Sequence, residues 1–268
     1  MRMLKFGFLF VVVQLFAVNI CHAELSINPH RLILEESDRS ATVTLLNRGA
    51  DLETYRIYWV YRRMTDGLGV EDAASADEVG VADAAAIIRY APRQVTLLPG
   101  QSQTVRLLVR RPADLAEGEY RAHLMFRREP NLVTNHTTGG NELSLSVHVA
   151  YGITIPVIVR HGNAALTTAE MQGELDPSGA TLRVSLLRRG THSLYGHLQA
   201  LHIVDGVATI LATVPNLAIY SEIDSATRNM NLDWPNGEPR RRGEIRLELR
   251  DLEGVSDRLI ARHSIALR

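Results

Sequence analysis

The sequence predicts an all-β fold of antiparallel sandwich type, and two observations lead to that prediction. Short runs rich in Val, Ile, Leu and Thr recur at the spacing of sandwich strands, and turn residues separate them. No long stretch has the apolar stripe of an amphipathic helix. The chain has 268 residues, which is enough for one or two domains at about 100–200 residues per domain.

The predicted strands follow one another along the chain from residue 41 onwards. Examples are Ala41–Leu46, Tyr55–Tyr61, Gln94–Leu98, Thr104–Arg110, Tyr120–Arg127, Thr181–Leu187, Gly196–Val204, Glu244–Leu249 and Leu259–Ala266. Turns are expected at 47–49, 98–101 and 205–206, because Asn-Arg-Gly, Leu-Pro-Gly-Gln and Asp-Gly favour tight reversals of the chain.

The first 23 residues have the pattern of a secretory signal peptide. Arg2 and Lys5 make the start basic, residues 6–20 are almost wholly apolar, and small residues precede an expected cleavage after Ala23. The apolar run is shorter than the ~20 residues that a membrane-spanning helix needs. We therefore expect an exported chain that is not stably inserted in a membrane once the signal is removed.

Composition excludes several classes of protein. Apolar residues make up 46% of the chain and charged residues 22%, which is typical of a folded soluble protein rather than a disordered one. A net charge of −1 argues against bulk electrostatic binding of nucleic acid. A single Cys excludes a disulfide framework and a multi-thiolate metal site.

Removal of the signal would take away the only lysine and the only cysteine of the chain. Lys5 is the only lysine and Cys21 the only cysteine, so the exported chain would contain neither. It would carry 27 basic and 30 acidic residues, a net charge of −3, with arginine as its only permanent cation. Arginine offers a planar fork of donors suited to carboxylates, whereas lysine-based covalent catalysis is excluded.

Motifs of enzymes and metal sites are missing from the sequence. It has no GxSxG, P-loop, GxGxxG or HExxH pattern, and His197 and His202 are five residues apart in a strand-like run, so they face opposite sides. Arg240 to Arg242 are interpreted as a solvated loop, since no aromatic platform for nucleic acid lies beside them. We expect no enzymatic activity, no cofactor, no metal and no nucleic-acid partner.

Two segments are predicted to be irregular. Residues 64–86 are rich in Ala, Asp, Glu and Gly with little periodicity, which indicates a long mobile excursion. Residues 131–141 are polar and contain two glycines, which indicates a flexible connection.

One strand of exceptional length is predicted after that second segment. Every odd position from Leu143 to Val159 is apolar, and most even positions are small or polar. Nine consecutive matches to period two describe a strand of 17 residues, whereas strands average about 5–6 residues. Pro156 cannot donate to a ladder, so the strand should lie at an edge or be bulged there. Such a strand either bends from one sheet into another or offers its edge to a partner chain.

The chain is expected to divide near residue 161. Residues 161–164 (His-Gly-Asn-Ala) have the composition of a short linker, and the remaining hundred or so residues suffice for a second sandwich. The expected organisation is a signal peptide at 1–23, a first domain at 24–161 that carries the long strand, and a second domain at 162–268.

These segments together resemble the periplasmic chaperones of the chaperone–usher pilus pathway, with features of the archaic branch. The resemblance is carried by NPHRLIL around Arg31, Tyr-Ala-Pro-Arg at 90–93, Leu-Pro-Gly-Gln at 98–101 with the arginine-containing strand after it, FRREP at 126–130, and the long strand. It covers 25–160 well and the second half more loosely. It implies two immunoglobulin-like sandwiches set as an L, a periplasmic location, pilus subunits as clients and an outer-membrane usher as a further partner.

The resemblance also implies roles for particular residues. The long strand would complement a subunit that lacks its last strand, through alternate side chains at Leu143, Leu145, Val147, Val149 and Tyr151. Arg31 matches one of the two basic residues that anchor the subunit's C-terminal carboxylate. The other is a lysine in the family, and Pro156 stands at its position here, so Arg93 is the expected substitute.

A charge network between the domains is implied as well. Arg106 and Glu119 match its first-domain partners and Asp251 its second-domain partner, and this network would be structural. The alternative to a chaperone is a secreted immunoglobulin-like adhesin or carbohydrate-binding module. It would explain the signal and the sandwich, but it would not explain the long strand or Arg31.

Overall fold

The structure is a computed structural model, and it describes residues 25–130, 151–162, 167–237, 239, 242–253 and 257–267. The predicted all-β class is confirmed, because these residues form four sheets with only two four-residue helices and one turn of 3₁₀ helix. The expected signal peptide at 1–23 lies outside the described residues.

The first sandwich is built from ten strands and both helices. Its elements are β1 (Leu25–Asn28), β2 (Leu32–Leu34), β3 (Ser40–Asn47), β4 (Glu53–Met64), β5 (Val70–Ala73), α1 (Ala76–Val79), α2 (Ala84–Ile87), β6 (Ile88–Ala91), β7 (Gln94–Leu97), β8 (Ser102–Val109), β9 (Gly118–Arg128) and β10 (Gly152–His161). One sheet has the order β1-β3-β8-β6, and the other has the order β2-β10-β9-β4-β5, with β7 also pairing β4.

That strand order is the order of an immunoglobulin fold. The strands β1, β3, β8 and β6 take the places of A, B, E and D, and β10, β9 and β4 take those of G, F and C. Between the two sheets lies one core, whose largest fully buried side chains include Tyr55, Phe126, Leu45 and Leu107.

The second sandwich follows the same plan with seven strands. They are β11 (Thr168–Leu175), β12 (Thr181–Arg189), β13 (Leu194–Val204), β14 (Val207–Ile219), β15 (Ser225–Asn231), β16 (Glu244–Asp251) and β17 (Leu259–Ala266), with the 3₁₀ turn at Pro235–Gly237. The sheet orders are β11-β12-β15 and β14-β13-β16-β17, which correspond to A-B-E and C′-C-F-G. A separate core, which contains Trp234, lies between these sheets.

Local sequence explains why these runs form strands and reverse where they do. Along β12, Leu182, Val184 and Leu186 are buried while the residues between them are more exposed, which is the period-two pattern of a half-buried strand. The expected Asp205-Gly206 turn joins β13 to β14, with φ of 50° and 81° at the two residues, as the tight hairpin turn requires. At the expected turn 98–101, the Gln101 N–H donates to the Leu98 carbonyl at 2.9 Å.

The expectation for residues 64–86 is wrong in one respect, because the segment has secondary structure. The strand β5 pairs with the end of β4, and α1 and α2 follow, with Ser75 and Asp83 as their N-caps. The turn between β4 and β5 contacts the second sandwich: Leu68 packs on its core, and the Asp66 carbonyl accepts from the Thr227 N–H at 3.1 Å. This tertiary contact is not visible in local periodicity.

Candidate functional site

One edge of β10 is open over half of its length. Along its whole length β10 pairs antiparallel with β9, from Gly152 opposite Arg127 to His161 opposite Gly118. On the other side, β2 pairs in parallel with residues 157–159 alone. Within the described part of the chain, no strand therefore pairs with that side of β10 at residues 152–156.

The directions of the backbone hydrogen-bonding groups along this edge explain why a proline is tolerated at position 156. The Arg128 N–H donates to the Tyr151 carbonyl at 3.0 Å, so the pairs at 151, 153 and 155 exchange hydrogen bonds with β9. The groups of Gly152, Thr154 and Pro156 then point to the open side. Proline is tolerated because its missing N–H falls where no ladder bond is made.

The predicted alternation holds in the described half of the long strand. Ile155, Val157 and Val159 are buried in the first core, and Ile153 packs against it. Tyr151 is partly buried, and the Arg128 guanidinium carbon lies 5.5 Å from its ring centre. The other four expected donor residues, Leu143, Leu145, Val147 and Val149, lie outside the described residues.

Arg31 lies at the point where the open edge meets β2. It directly precedes Leu32, which pairs with Val157, so the parallel register places Arg31 beside Pro156. Its side chain is only 9% exposed and Nη2 donates to Glu253 Oε1 at 3.1 Å and to Ser193 Oγ at 3.2 Å, both in the second sandwich. The guanidinium carbon also lies 4.6 Å from the ring centre of Tyr195. Its Nε is buried and has no hydrogen-bond partner among the described residues.

Arg93 is not brought near Arg31. Its carbonyl accepts from the Ile57 N–H at 2.8 Å, on the side of β4 that faces away from β9. Four strand spacings, about 19 Å, therefore separate it from β2. Its side chain is exposed and lies over Tyr90, with 5.5 Å between the guanidinium carbon and the ring centre. One carboxylate cannot contact both Arg31 and Arg93.

A buried charge network joins the sandwiches, and the structure places Glu119 in it. Its Oε2 accepts from the N–H and the hydroxyl of Ser193, each at 2.9 Å, and from Arg160 Nε at 3.4 Å. Arg160 also donates to Glu253 at 2.7 Å and to Glu35 at 3.0 Å. Arg160 thus links carboxylates of the first sandwich to one of the second.

The other two expected members of the network need correction. Arg106 is exposed on β8, in the opposite sheet, and no carboxylate pairs with it among the described residues. Asp251 pairs with Arg258 at 3.0 Å and accepts from the Glu253 N–H at 3.0 Å, so it supports the segment that carries Glu253. Arg160 and Glu253 occupy the roles expected of Arg106 and Asp251.

A second ion pair between the sandwiches was not expected from the sequence. Arg121 on β9 donates to both oxygens of Glu222, at 2.6 and 2.5 Å, and the two side chains are only 1% and 5% exposed. The guanidinium carbon of Arg121 lies 3.8 Å from the ring centre of Tyr220. Met64, Ile158 and Tyr220 form a small apolar core beside this pair.

His123 lies in the same junction, directly opposite Pro156 in the register of β9 and β10. It is 4% exposed, and Nδ1 has no hydrogen-bond partner among the described residues. Burial, followed by the positive charges of Arg121, Arg62 and Arg31, lowers the pKa of His123 to about 3. The imidazole is therefore neutral at physiological pH.

Neither a metal centre nor a membrane span is found in the described part of the chain. No group of three His, Cys, Asp or Glu side chains there could hold a metal ion. None of the described helices has the length and apolar character needed to cross a bilayer.

No family model and no curated protein matches the sequence. Solved structures of chaperones do match the fold. The E. coli chaperone DraB is 13% identical with a TM-score of 0.47, over 91% of this chain and 96% of its own. The CsuC–CsuE chaperone–subunit complex of the archaic chaperone–usher Csu pili of Acinetobacter baumannii is 16% identical with a TM-score of 0.46, over 91% and 99%. The Pseudomonas aeruginosa chaperone CupB2 is 12% identical with a TM-score of 0.42, over 90% and 100%. All three likenesses are distant.

Proposed function

We propose that this protein is a periplasmic chaperone that binds exported pilus subunits by donor-strand complementation and delivers them to an outer-membrane usher. The open edge of β10 at residues 152–156, continuous with the alternating sequence from Leu143 to Tyr151, is the observation that carries the proposal. The client class and the usher come from the motifs that the sequence shares with the family.

Strand addition suits this edge for physical reasons. The backbone groups of Gly152, Thr154 and Pro156 on the open side would hydrogen-bond to an added strand, as in other β-augmentation complexes. Upstream, Leu143, Leu145, Val147 and Val149 would fill the client's core, and each buried side chain contributes about 1.5–3 kcal/mol. Ordering of both chains offsets part of that gain.

The position of Arg31 supports its proposed role as a carboxylate anchor. A client strand running parallel to β10 on the open edge would continue the line of β2 and end beside Arg31. The buried Nε of Arg31 is a donor without a partner among the described residues, and a carboxylate would satisfy it. Arg93 is too distant to share that carboxylate.

The first experiment is co-expression of the full chain with pilus subunits encoded beside it. The affinity tag goes on this protein, so that the subunit keeps a free C-terminal carboxylate. We expect a one-to-one complex from the periplasm that Val147→Asp or Val149→Asp abolishes. Ser146→Asp is the matched control, because it adds the same charge at an even position of the alternating sequence.

The stability of each free variant decides how a loss is interpreted. If Val147→Asp unfolds the free protein, the position belongs to its own core and the donor assignment is wrong. If the well-folded wild type forms no complex with any subunit, the alternative of a secreted adhesin or carbohydrate-binding module is favoured.

The anchor is tested by comparing Arg31→Ala with Glu253→Ala. Both remove the pair between these residues, but Glu253→Ala leaves the guanidinium in place. We expect Arg31→Ala to reduce subunit capture at least tenfold, and Glu253→Ala to reduce it much less. Equal losses would show that Arg31 acts only by joining the two sandwiches.

A further inference from the structure

The outward face of the sheet β1-β3-β8-β6 is basic and has no counter-charge of its own. None of its four strands contains an Asp or Glu residue. Arg89 on β6 and Arg106 on β8 are exposed, and so is Arg110, which directly follows β8. Within the described part of the chain, none of these three arginines pairs with a carboxylate.

The register brings the three arginines together. Arg89 lies directly opposite Leu108, so Arg106 and Arg110, two positions to either side of Leu108, are its diagonal neighbours. Diagonal neighbours on one face of a sheet are about 7–8 Å apart. Leu108 lies at the centre, and its exposure of 46% is high for a leucine on a strand. We call Arg89, Arg106, Arg110 and Leu108 the arginine face.

Many arginines elsewhere in this molecule lie close to carboxylates. Six arginines of the opposite sheet form ion pairs with carboxylates; they are Arg56, Arg62, Arg63, Arg121, Arg128 and Arg160. In the second sandwich, Glu174 lies directly opposite the exposed Arg183. Single exposed arginines without a carboxylate partner among the described residues also occur, at Arg93, Arg127 and Arg228. The arginine face differs from them because three such arginines adjoin on one face of a sheet.

Like charges directly opposite each other destabilise a sheet, and the diagonal arginines here repel one another more weakly, so a bound anion would relieve their repulsion. A surface feature that lowers folding stability and adds no structural contact is typical of a functional site. The four strands contain no carboxylate, and Asp38, which the register places level with Arg110 just before β3, forms no ion pair with it, so an anion from another molecule would offset these charges.

We propose that the arginine face binds an acidic segment of a partner protein. Arginine forks bind carboxylates in a bidentate manner, and an exposed Leu inside a ring of arginines matches the apolar centre and charged rim of protein interfaces. Arg106 and Arg110 are four residues apart, about 14 Å along β8, which suits carboxylates at several positions of an extended segment. The site lies on the sheet opposite the one that contains β10, so this inference goes beyond the proposed function and does not depend on it.

Fluorescence anisotropy with a labelled Gly-Glu-Glu-Leu-Glu-Glu-Gly peptide tests the proposal on the free full chain. We expect saturable binding that is lost when Gln replaces every Glu in the peptide. Arg89→Ser/Arg106→Ser should weaken the affinity about tenfold, which follows from two surface charge pairs of up to about 1 kcal/mol each. Arg183→Ser/Arg228→Ser is the matched control, because it removes two exposed strand arginines from the second sandwich.

Each outcome decides the proposal. An affinity that falls about tenfold with the first pair of substitutions and is unchanged with the second supports it. No binding, or equal weakening by both pairs, overturns it. Co-sedimentation with vesicles of phosphatidylcholine and phosphatidylglycerol is measured in parallel. If the same arginines bind vesicles while the peptide does not bind, the face recognises a lipid surface and the protein-segment assignment is wrong.

Discussion

At the scale of single residues, His123 is the group whose surroundings most change its chemistry. It is buried on β9, with its ring in edge contact with Tyr220 of the second sandwich, at 6.1 Å between centres. Burial and the neighbouring arginines lower its pKa from an ordinary 6.5 to about 3. Between about pH 3 and pH 6.5 the imidazole is therefore neutral in the folded protein and protonated in the unfolded chain.

This difference predicts a loss of stability in mild acid. Between the two pKa values the unfolded chain binds more protons, so the free energy of unfolding decreases as the pH falls below 6.5. From pH 7 to pH 5 we expect His123 to account for a loss of about 2 kcal/mol, which His123→Gln should remove. Urea unfolding of both proteins at the two pH values measures it, with His30→Gln as the control at an exposed site.

The quantity to compare is the change with pH rather than the absolute stability, because the substitution itself can weaken packing. Carboxylates contribute equally to wild type and variant in this range, so their effect cancels in the comparison. An identical pH dependence in wild type and His123→Gln would contradict the prediction.

Residue-level prediction from the sequence succeeded only where a motif specified the position. Glu119, which the family resemblance singled out, lies between the sandwiches and accepts from Ser193 and Arg160. Arg160 and Glu253 were missed because they are 93 residues apart, and no local pattern tells which distant charges meet. Arg160 did carry one usable signal, since it directly follows the long run of alternating apolar residues.

At the scale of elements, the alternation of apolar residues with period two was a reliable guide to the positions of strands, whereas exposure was not. Each of the nine example runs coincides with an observed strand, although those ending at Leu98 and Arg110 extend one residue past it. Residues that alternate between a core and the surface produce the period of two. The strand β14 is not among these runs, and its first four residues are exposed although Val207 and Ile210 are apolar. The junction of β4 and β5 was missed as well, because its contacts come from the second sandwich.

That junction gives a prediction for the β4–β5 hairpin. Met64 ends β4 with 4% exposure, packs against Ile158 and Tyr220, and its sulfur accepts from the Tyr220 N–H at 3.3 Å. Met64→Ala should reduce the free energy of unfolding by about 2–5 kcal/mol through the cavity that it leaves. Val70→Ala, on the exposed β5 strand of the same hairpin, should change it by less than about 0.5 kcal/mol.

Urea unfolding of the two variants at neutral pH measures this difference. Equal and small losses would show that the hairpin rests loosely on the second sandwich. The contacts of Met64 and the β4–β5 turn with the second sandwich would then contribute little to stability.

At the scale of the whole molecule, the two sandwiches are joined by apolar packing and buried charge. Met64, Ile158 and Tyr220 form the apolar part, and Arg121 with Glu222 forms the most deeply buried ion pair of the junction. Loss of one partner of such a pair costs about 3–5 kcal/mol, because the other charge remains buried without compensation. Replacement of both by apolar residues is often nearly neutral.

The two tryptophans make the coupling measurable, since Trp59 packs against the first core and Trp234 lies in the second. Trp59→Phe and Trp234→Phe leave one reporter per protein, and each follows the unfolding of a single sandwich by fluorescence. In the otherwise unaltered chain we expect both reporters to give the same urea midpoint, because the junction makes unfolding cooperative. Arg121→Met should lower the midpoints and separate them.

The double variant Arg121→Met/Glu222→Leu distinguishes the charge from the packing. It removes the uncompensated carboxylate and keeps the volume of the junction, so the reporters should coincide again near the original midpoint. If they stay apart, the hydrogen bonds of Arg121 rather than the buried charge join the sandwiches. Coincident and unshifted curves in Arg121→Met alone would show that the pair does not couple them, and Arg160 with Glu253 would then be the remaining candidate.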